Sequence, residues 1–126
     1  MKDFTGWVRV ILRHQFGEVL RDYASLPALY ESSAAFGIDT VYILGWIPSG
    51  FCRMWPEYVP DPAMGGESAL KEAIARIHAR GGRVMMFLSG YLADRQSNFY
   101  KEIGHALSIR TFWGSEVGLP ETYAGE

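Results

Sequence analysis

The chain has 126 residues, of which 48% are hydrophobic and 21% charged, the composition of a soluble globular chain and not of a disordered one. That length fits one domain with a core of ordinary size, so residues 1–126 are expected to form a single domain. The formal net charge of −2 gives no electrostatic attraction to nucleic acid or to an anionic membrane, and neither is expected as a partner. Cys52 is the only cysteine, which excludes a disulfide within the chain.

The N-terminal segment does not have the pattern of a signal peptide. Its apolar run is interrupted by Arg9 and Arg13, and it lacks a small-residue cleavage site. No apolar run approaches the length of a membrane span. The cytoplasm is therefore the default location. The location stays open, because the natural protein could begin upstream of Met1.

Three apolar segments have the composition of β-strands, and segments with a helical pattern lie between and after them. The predicted strands are Trp7–Arg13, Val41–Trp46 and Arg83–Leu88, and the predicted helices are Leu26–Phe36, Glu67–Arg80 and residues 98–107. The second helix has the clearest signal, because Leu70, Ala73, Ile74 and Ile77 form one apolar stripe. The polar, glycine-rich sequence after Trp113 predicts a flexible tail from about residue 114.

This alternation predicts an α/β fold of right-handed βαβ units around a parallel sheet. Two architectures begin in this way: the first three or so units of a (β/α)8 TIM barrel, and a small open doubly wound sheet. A complete barrel needs roughly 200 or more residues, so the length favours the open sheet. The long loops favour the start of a barrel.

In both architectures, ligands bind at the carboxyl ends of the parallel strands. The first strand leads to His14, the second to Trp46 and the third to Asp94. We therefore expect these side chains to gather at one rim.

The connection after the second strand is far longer than the usual βα loop of about two to six residues. It carries four aromatic residues, Trp46, Phe51, Trp55 and Tyr58, and several prolines that restrict its shape. The rings could stack on the C–H face of a sugar, or they could pack together as a small core under the loop. The two alternatives are about equally good for Trp46 and Trp55, whereas packing is favoured for Phe51 and Tyr58.

Four stretches of the sequence resemble the N-terminal part of a group of bacterial TIM-barrel proteins of unknown function that are related to glycoside hydrolases, near the alpha-galactosidase clan. The stretches are ILRHQFGE (Ile11–Glu18), GIDTVYILGW (Gly37–Trp46), YVPDPAMGGESALKEAIARIHARGGRVMMFLSGYLAD (Tyr58–Asp94) and FYKEIGH (Phe99–His105). They occur in the same order as in the family and cover most of the chain between Trp7 and His105.

The resemblance implies a carbohydrate-active barrel with two catalytic carboxylates. In the related clan these carboxylates follow the fourth and sixth strands, which the chain does not reach, so its catalytic residues are unknown and the chain alone is expected to be inactive. What carries over is part of the sugar-binding rim: His14, Trp46, Asp61 and Asp94. Trp55 is added to this set as a second stacking residue.

Two other hypotheses remain open. One is a non-catalytic carbohydrate-binding or interaction module of open α/β form, and the other is a small flavodoxin-like enzyme with Glu18 and Asp94 as an acid/base pair. No cofactor or metal is expected, because the three histidines are far apart and lack the spacing of metal ligands. An open sheet edge in any of these forms would allow self-association.

Overall fold

Three short strands, β1 (Trp7–Ile11), β2 (Thr40–Leu44) and β3 (Arg83–Met86), form a parallel sheet in the order β1-β2-β3. The computed structural model describes residues 6–50 and 53–118. Each strand ends two residues earlier than the sequence pattern predicts. After β2 the reason is Gly45, whose φ of +64° turns the chain out of the extended conformation.

Two α-helices connect the strands, α1 (Leu26–Ala34) and α2 (Gly66–Ala79). A 3-10 turn precedes α1, and the Asp22 side chain caps it by accepting a hydrogen bond from the Ser25 N–H at 3.0 Å. Residues 98–107 are also helical, as predicted; their centre is a π-helical turn, Tyr100–Gly104, and they end in the single turn α3 (His105–Leu107). None of the described helices is long and apolar enough to cross a bilayer.

Both connecting helices pack on the same face of the sheet. The core on this face combines strand residues with residues of α1 and α2, including Val10, Val41, Ile43, Leu26, Tyr30, Leu70 and Ile77. Successive residues of a strand point to opposite faces of the sheet. The strand residues that alternate with these core residues therefore lie on the other side. We call that side the inner face, and its residues are Trp7, Arg9, Ile11, Thr40, Tyr42, Leu44, Arg83 and Met85.

The layer arrangement distinguishes between the predicted architectures. A doubly wound sheet carries helices on both faces, and a flavodoxin-like sheet has the strand order 2-1-3. Here α1 and α2 lie on one face, and the strand order follows the sequence. The fold is therefore an open sheet of parallel βα units arranged like consecutive units of a (β/α)8 barrel, which confirms the leading prediction.

Residues 109–117 form a hairpin at the end of the described chain. The Val117 N–H bonds to the Ile109 carbonyl, and the Thr111 N–H to the Ser115 carbonyl, both at 2.8 Å. Glu116 ties the hairpin to the preceding helical segment, because its carboxylate accepts hydrogen bonds from the Tyr100 hydroxyl at 2.6 Å and the Ser108 hydroxyl at 2.7 Å. The sequence predicts a flexible tail from about residue 114, but residues 114–117 belong to this hairpin. Residues 119–126 lie outside the described chain.

Candidate functional site

Loops from the carboxyl ends of all three strands meet at the same end of the sheet. Two hydrogen bonds tie the loop after β2 to the chain just after β3: the Trp46 indole N–H donates to the Phe87 carbonyl at 3.0 Å, and the Tyr58 hydroxyl donates to the Ser89 carbonyl at 2.7 Å. The Ser89 N–H returns a hydrogen bond to the same hydroxyl at 2.7 Å. The rim predicted from the strand-end rule is therefore held together by hydrogen bonds between loops.

Glycines allow the β2 loop to lie directly against the loop after β1. Gly45 and Gly50 both have positive φ, at +64° and +79°. A Cβ atom at Gly45 would overlap the carbonyl oxygen of Arg13, and one at Gly50 would lie 2.7 Å from that of His14. Only glycine fits this close backbone approach, which sets the spacing of the two loops.

Asp61 is buried at the end of the β2 loop, with 2% of its surface exposed. Its Oδ2 accepts hydrogen bonds from Nε and Nη2 of Arg13 at 2.9 and 2.6 Å, and its Oδ1 accepts one from the Ala63 N–H at 2.9 Å. Arg13 also donates to the Gly17 carbonyl, so the pair joins the loops after β1 and β2. Both oxygens of this predicted sugar-binding residue thus already have partners within the protein.

Tyr23 connects the same region to Trp46. Its hydroxyl donates to the Trp46 carbonyl at 2.5 Å and accepts from the Asp61 N–H at 2.7 Å. Burial raises the pKa of Tyr23 to about 12, so the hydroxyl keeps the proton that it donates.

Trp46 itself is buried in the core. Its ring stacks on Tyr58 with centroids 5.9 Å apart and planes 21° from parallel. The structure thus places Trp46 and Tyr58 in the packing arrangement, the alternative that the sequence left open for Trp46 and favoured for Tyr58. Phe51 lies outside the described residues.

Trp55 and Asp94 hold the loops after β2 and β3 together. The Asp94 N–H donates to the Trp55 carbonyl at 2.9 Å, and Asp94 Oδ2 accepts from the Met54 N–H at 2.8 Å. Asp94 Oδ1 accepts from the Gln96 N–H at 2.7 Å. The half-buried Trp55 ring lies 6.1 Å from that of Phe87, at the carboxyl end of β3.

His14 is half-buried in the loop after β1. Its Nδ1 accepts a hydrogen bond from the Phe16 N–H at 2.9 Å, which assigns the ring proton of the neutral form to Nε2. Nε2 lies 3.2 Å from Glu18 Oε2. The interaction with Glu18 therefore fixes the orientation of the His14 ring at the rim.

A cleft of about 320 Å³ opens between the three loops. Its described lining comes from the loop after β1, the loop after β2 and the loop after β3: Gln15, Phe16, Gly17, Pro48, Ser49, Arg53, Met54, Asp94 and Gln96. Of the five predicted site residues, Asp94 lines the cleft. His14 and Trp55 each adjoin a lining residue in sequence, and Trp46 and Asp61 lie outside the lining.

The sequence-based site did not include most of this lining. Gln15 could be found, because it lies two residues after the predicted end of the first strand at Arg13, and the strand-end rule points to it. Ser49, Arg53 and Gln96 could not, because the folding of a long loop brings them to the cleft and no local pattern marks them. Within residues 6–50 and 53–118, no group of three or more His, Cys, Asp or Glu side chains is placed to hold a metal ion.

The sequence matches no protein-family model and no curated protein. The fold, however, is similar to parts of solved glycoside hydrolases. An alpha-amylase from Geobacillus thermoleovorans in complex with acarbose aligns with a TM-score of 0.66 at 14% identity, over 84% of this chain and 27% of the enzyme.

Two further enzymes show the same relationship. The alpha-N-acetylgalactosaminidase NagBb from Bifidobacterium bifidum aligns with a TM-score of 0.63 at 20% identity, over 87% of this chain and 20% of the enzyme. The trehalose-6-phosphate hydrolase TreA from Bacillus licheniformis aligns with a TM-score of 0.61 at 11% identity, over 97% and 27%. The chain thus shares its fold with part of these glycosidase barrels and spans 20–27% of their length.

Proposed function

We propose that this chain is the N-terminal portion of a glycoside-hydrolase-like barrel and that its cleft binds a carbohydrate as part of the substrate rim. The observation that carries the proposal is the cleft itself, formed by the loops at the carboxyl ends of three consecutive parallel strands. Ligands of barrel enzymes bind at this end of the sheet. The fold shared with three glycosidases supports sugar as the class of ligand.

The chemistry of the cleft suits a small polyhydroxylated ligand. Gln15 and Gln96 carry amide groups, which both donate and accept hydrogen bonds, as sugar hydroxyls do. Each carboxylate oxygen of Asp94 accepts one backbone N–H and keeps a lone pair for a ligand hydroxyl. Phe16 and Met54 add apolar surface for the C–H face of a ring.

Among the predicted site residues, we propose that Asp94 contacts the sugar directly and that His14 and Trp55 border it. Trp46 and Asp61 support the loops around the cleft, because a buried ring and a buried carboxylate paired with Arg13 have no surface to offer a ligand without rearrangement.

Binding without hydrolysis is the activity that we propose for the chain alone. Glycosidases of most families use two carboxylates, about 5–5.5 Å apart in retaining enzymes and about 6.5–9.5 Å apart in inverting enzymes. In the described lining of the cleft, Asp94 is the one carboxylate. Glu18 is engaged with His14 and is not part of that lining.

A non-catalytic carbohydrate-binding module is the second candidate function. The observation that favours it is that the described lining of the cleft holds a single carboxylate, Asp94, where a glycosidase would need two. Under this alternative the cleft would bind a sugar with full affinity on its own. As part of a barrel, it would bind the same sugar more tightly once the remaining wall of the site is supplied.

Titration of the purified chain with glucose-, galactose- and N-acetylgalactosamine-containing oligosaccharides tests the proposal. We expect weak binding that Gln15→Ala reduces about two- to twelvefold, because one lost hydrogen bond costs about 0.5–1.5 kcal/mol. Phe16→Ala should also weaken binding.

Phe36→Ala is the matched control, since Phe36 is 85% exposed and distant in sequence from the cleft lining, whereas Phe16 is 73% exposed beside it. This control should leave binding unchanged. Absence of binding to every sugar, or equal losses in the two phenylalanine variants, would contradict the proposal.

A further inference from the structure

The lining of the cleft carries one charge of each sign. Among its described residues, Arg53 is the one cation and Asp94 the one anion, whereas the other polar side chains, those of Gln15, Ser49 and Gln96, are neutral. Arg53 and Asp94 are both half-buried, so water and salt screen their charges less than those on the open surface. A ligand that carries a charge of its own would therefore bind in this cleft in one orientation.

The two charged residues differ in how far the protein already compensates them. Each carboxylate oxygen of Asp94 accepts a backbone N–H, from Met54 at 2.8 Å and from Gln96 at 2.7 Å, and such bonds stabilise its negative charge. Arg53 has a planar guanidinium with five N–H donors, so two of them can bind a ligand while others bond within the protein. Asp94 thus suits the hydroxyls of a ligand, and Arg53 suits an anionic group.

The backbone that carries Arg53 is held on both sides. The Arg53 carbonyl accepts a hydrogen bond from the Ser49 hydroxyl at 3.0 Å. The next residue, Met54, has a φ of +59°, which is uncommon for a residue with a side chain, and Asp94 binds its N–H. Unusual backbone conformations that the surrounding contacts hold in place cluster at ligand-binding sites. Asp94 therefore also fixes the position from which Arg53 reaches the cleft.

We propose that the cleft prefers an acidic sugar, a uronic acid, whose carboxylate binds Arg53 while its ring hydroxyls bind Asp94, Gln15 and Gln96. This inference rests on the proposed function and specifies which class of carbohydrate the cleft takes. The guanidinium fits the two carboxylate oxygens with two parallel N–H donors.

A carboxylate fits the charge of the lining better than a phosphate does. A sugar carboxylate carries one negative charge, which the single positive charge of Arg53 balances. A phosphate monoester carries about −1.5 to −2 at neutral pH and would leave negative charge uncompensated beside Asp94. A cleft of about 320 Å³ is also at the small end of the usual range for ligand pockets, as expected if one sugar residue contacts both charged side chains.

Matched sugars that differ in charge test this inference. We expect the purified chain to bind methyl glucuronide about tenfold more tightly than methyl glucoside, because hydrogen bonds to a charged group are roughly twice as strong as neutral ones. The methyl ester of the glucuronide keeps the shape but loses the charge, so it should bind like the neutral sugar. The preference should shrink as salt is added. The same comparison with galacturonide and galactoside covers the other common ring configuration.

Variants of the cation identify the residue that is responsible. Arg53→Gln should abolish the preference for the acid while neutral-sugar binding stays within about threefold, because the amide still donates a hydrogen bond. Arg53→Lys should retain part of the preference, since it keeps the charge without the two-pronged fit. Arg76→Gln is the matched control: it removes the same charge from an exposed position on α2, outside the described lining, and should leave the preference unchanged.

Each remaining outcome decides between the two proposals. Equal affinity of the wild type for the acid and the neutral sugar would overturn the inference and leave the proposed function standing, whereas absence of binding to every sugar would contradict both. A preference that persists in Arg53→Gln, or that Arg76→Gln reduces equally, would also overturn it, as would tighter binding of glucose 6-phosphate than of glucuronide. Circular dichroism establishes that the variants are folded, and the ester and the salt dependence test the wild type should Arg53→Gln unfold.

Discussion

Asp61 shows how a carboxylate in a strand-end loop can serve the loop itself. Its sequence context contains the signal for this role, because Asp61 precedes Pro62, and an Asp before a Pro is typical of the start of a helical turn. In the structure, Asp61 caps the 3-10 turn Pro62–Met64 and pairs with Arg13. The cap could be predicted from local sequence, whereas the ion pair, which joins residues 48 apart, could not.

Asp61→Asn should destabilise the fold by about 3 kcal/mol, because removing one partner of a largely buried ion pair leaves the other charge uncompensated. Urea denaturation measures this change. Glu18→Gln is the control; it removes a highly exposed partner of His14 and should cost less than about 1 kcal/mol. If Asp61 instead contacts the sugar, Asp61→Asn would lower sugar affinity while leaving the unfolding midpoint where it is.

Gly45→Ala should be more damaging than the same change at another glycine with positive φ. Gly17 has a φ of +94° and free space around it, so Gly17→Ala should cost about 1–2 kcal/mol from backbone strain alone. Gly45→Ala adds the overlap with the Arg13 carbonyl and should cost at least about 1 kcal/mol more. Equal unfolding midpoints of the two variants would show that the loops can separate at no cost.

At the scale of the elements, strands and helices followed from the sequence because they depend on local periodicity. Three residues of the predicted stripe, Leu70, Ala73 and Ile77, are buried and the fourth, Ile74, is half-buried, and α2 begins and ends within one residue of its predicted bounds. The site was harder to predict, because whether a loop side chain is buried depends on residues that are far away in the sequence. Trp46 is held by Phe87, 41 residues away, and only the folded loops show that the Trp46 ring is buried.

The hairpin at residues 109–117 should open in acid. The hydrogen bonds from Tyr100 and Ser108, together with the nearby charge of Arg95, hold the pKa of Glu116 below its ordinary value. A lowered pKa in the folded state means that these contacts stabilise the hairpin above the ordinary glutamate pKa of about 4.3 and are lost as the pH falls below it. The indole N–H signal of Trp113, at the tip, should report the change in an NMR titration.

Glu116→Gln provides the control for this titration. Its amide oxygen can still accept a hydrogen bond from the Tyr100 hydroxyl, but the side chain has no charge to lose in this range. The Trp113 signal of the variant should therefore lack the acid transition. An identical transition in both proteins would assign the titration to another group.

At the scale of the whole molecule, the described chain forms an open three-stranded sheet of βα units and not a closed barrel. One face of the sheet is a core with two helices, whereas on the inner face Trp7 and Met85 are exposed, and within the described residues no further strand pairs with β1 or β3. The solved enzymes that share this fold are about four to five times as long as the matched part, as their coverage of 20–27% shows. The sequence predicted this partial architecture because the number of βα repeats can be counted directly.

The strand order β1-β2-β3 also sets an order in time. During synthesis, β1 and α1 leave the ribosome before β2, and the sheet can begin to form as soon as β2 follows, since no later strand lies between the first two. The Arg13–Asp61 pair can close next, before β3 has left the ribosome. β3 then adds to an edge that already exists, so the polypeptide can assemble in the direction in which it is translated.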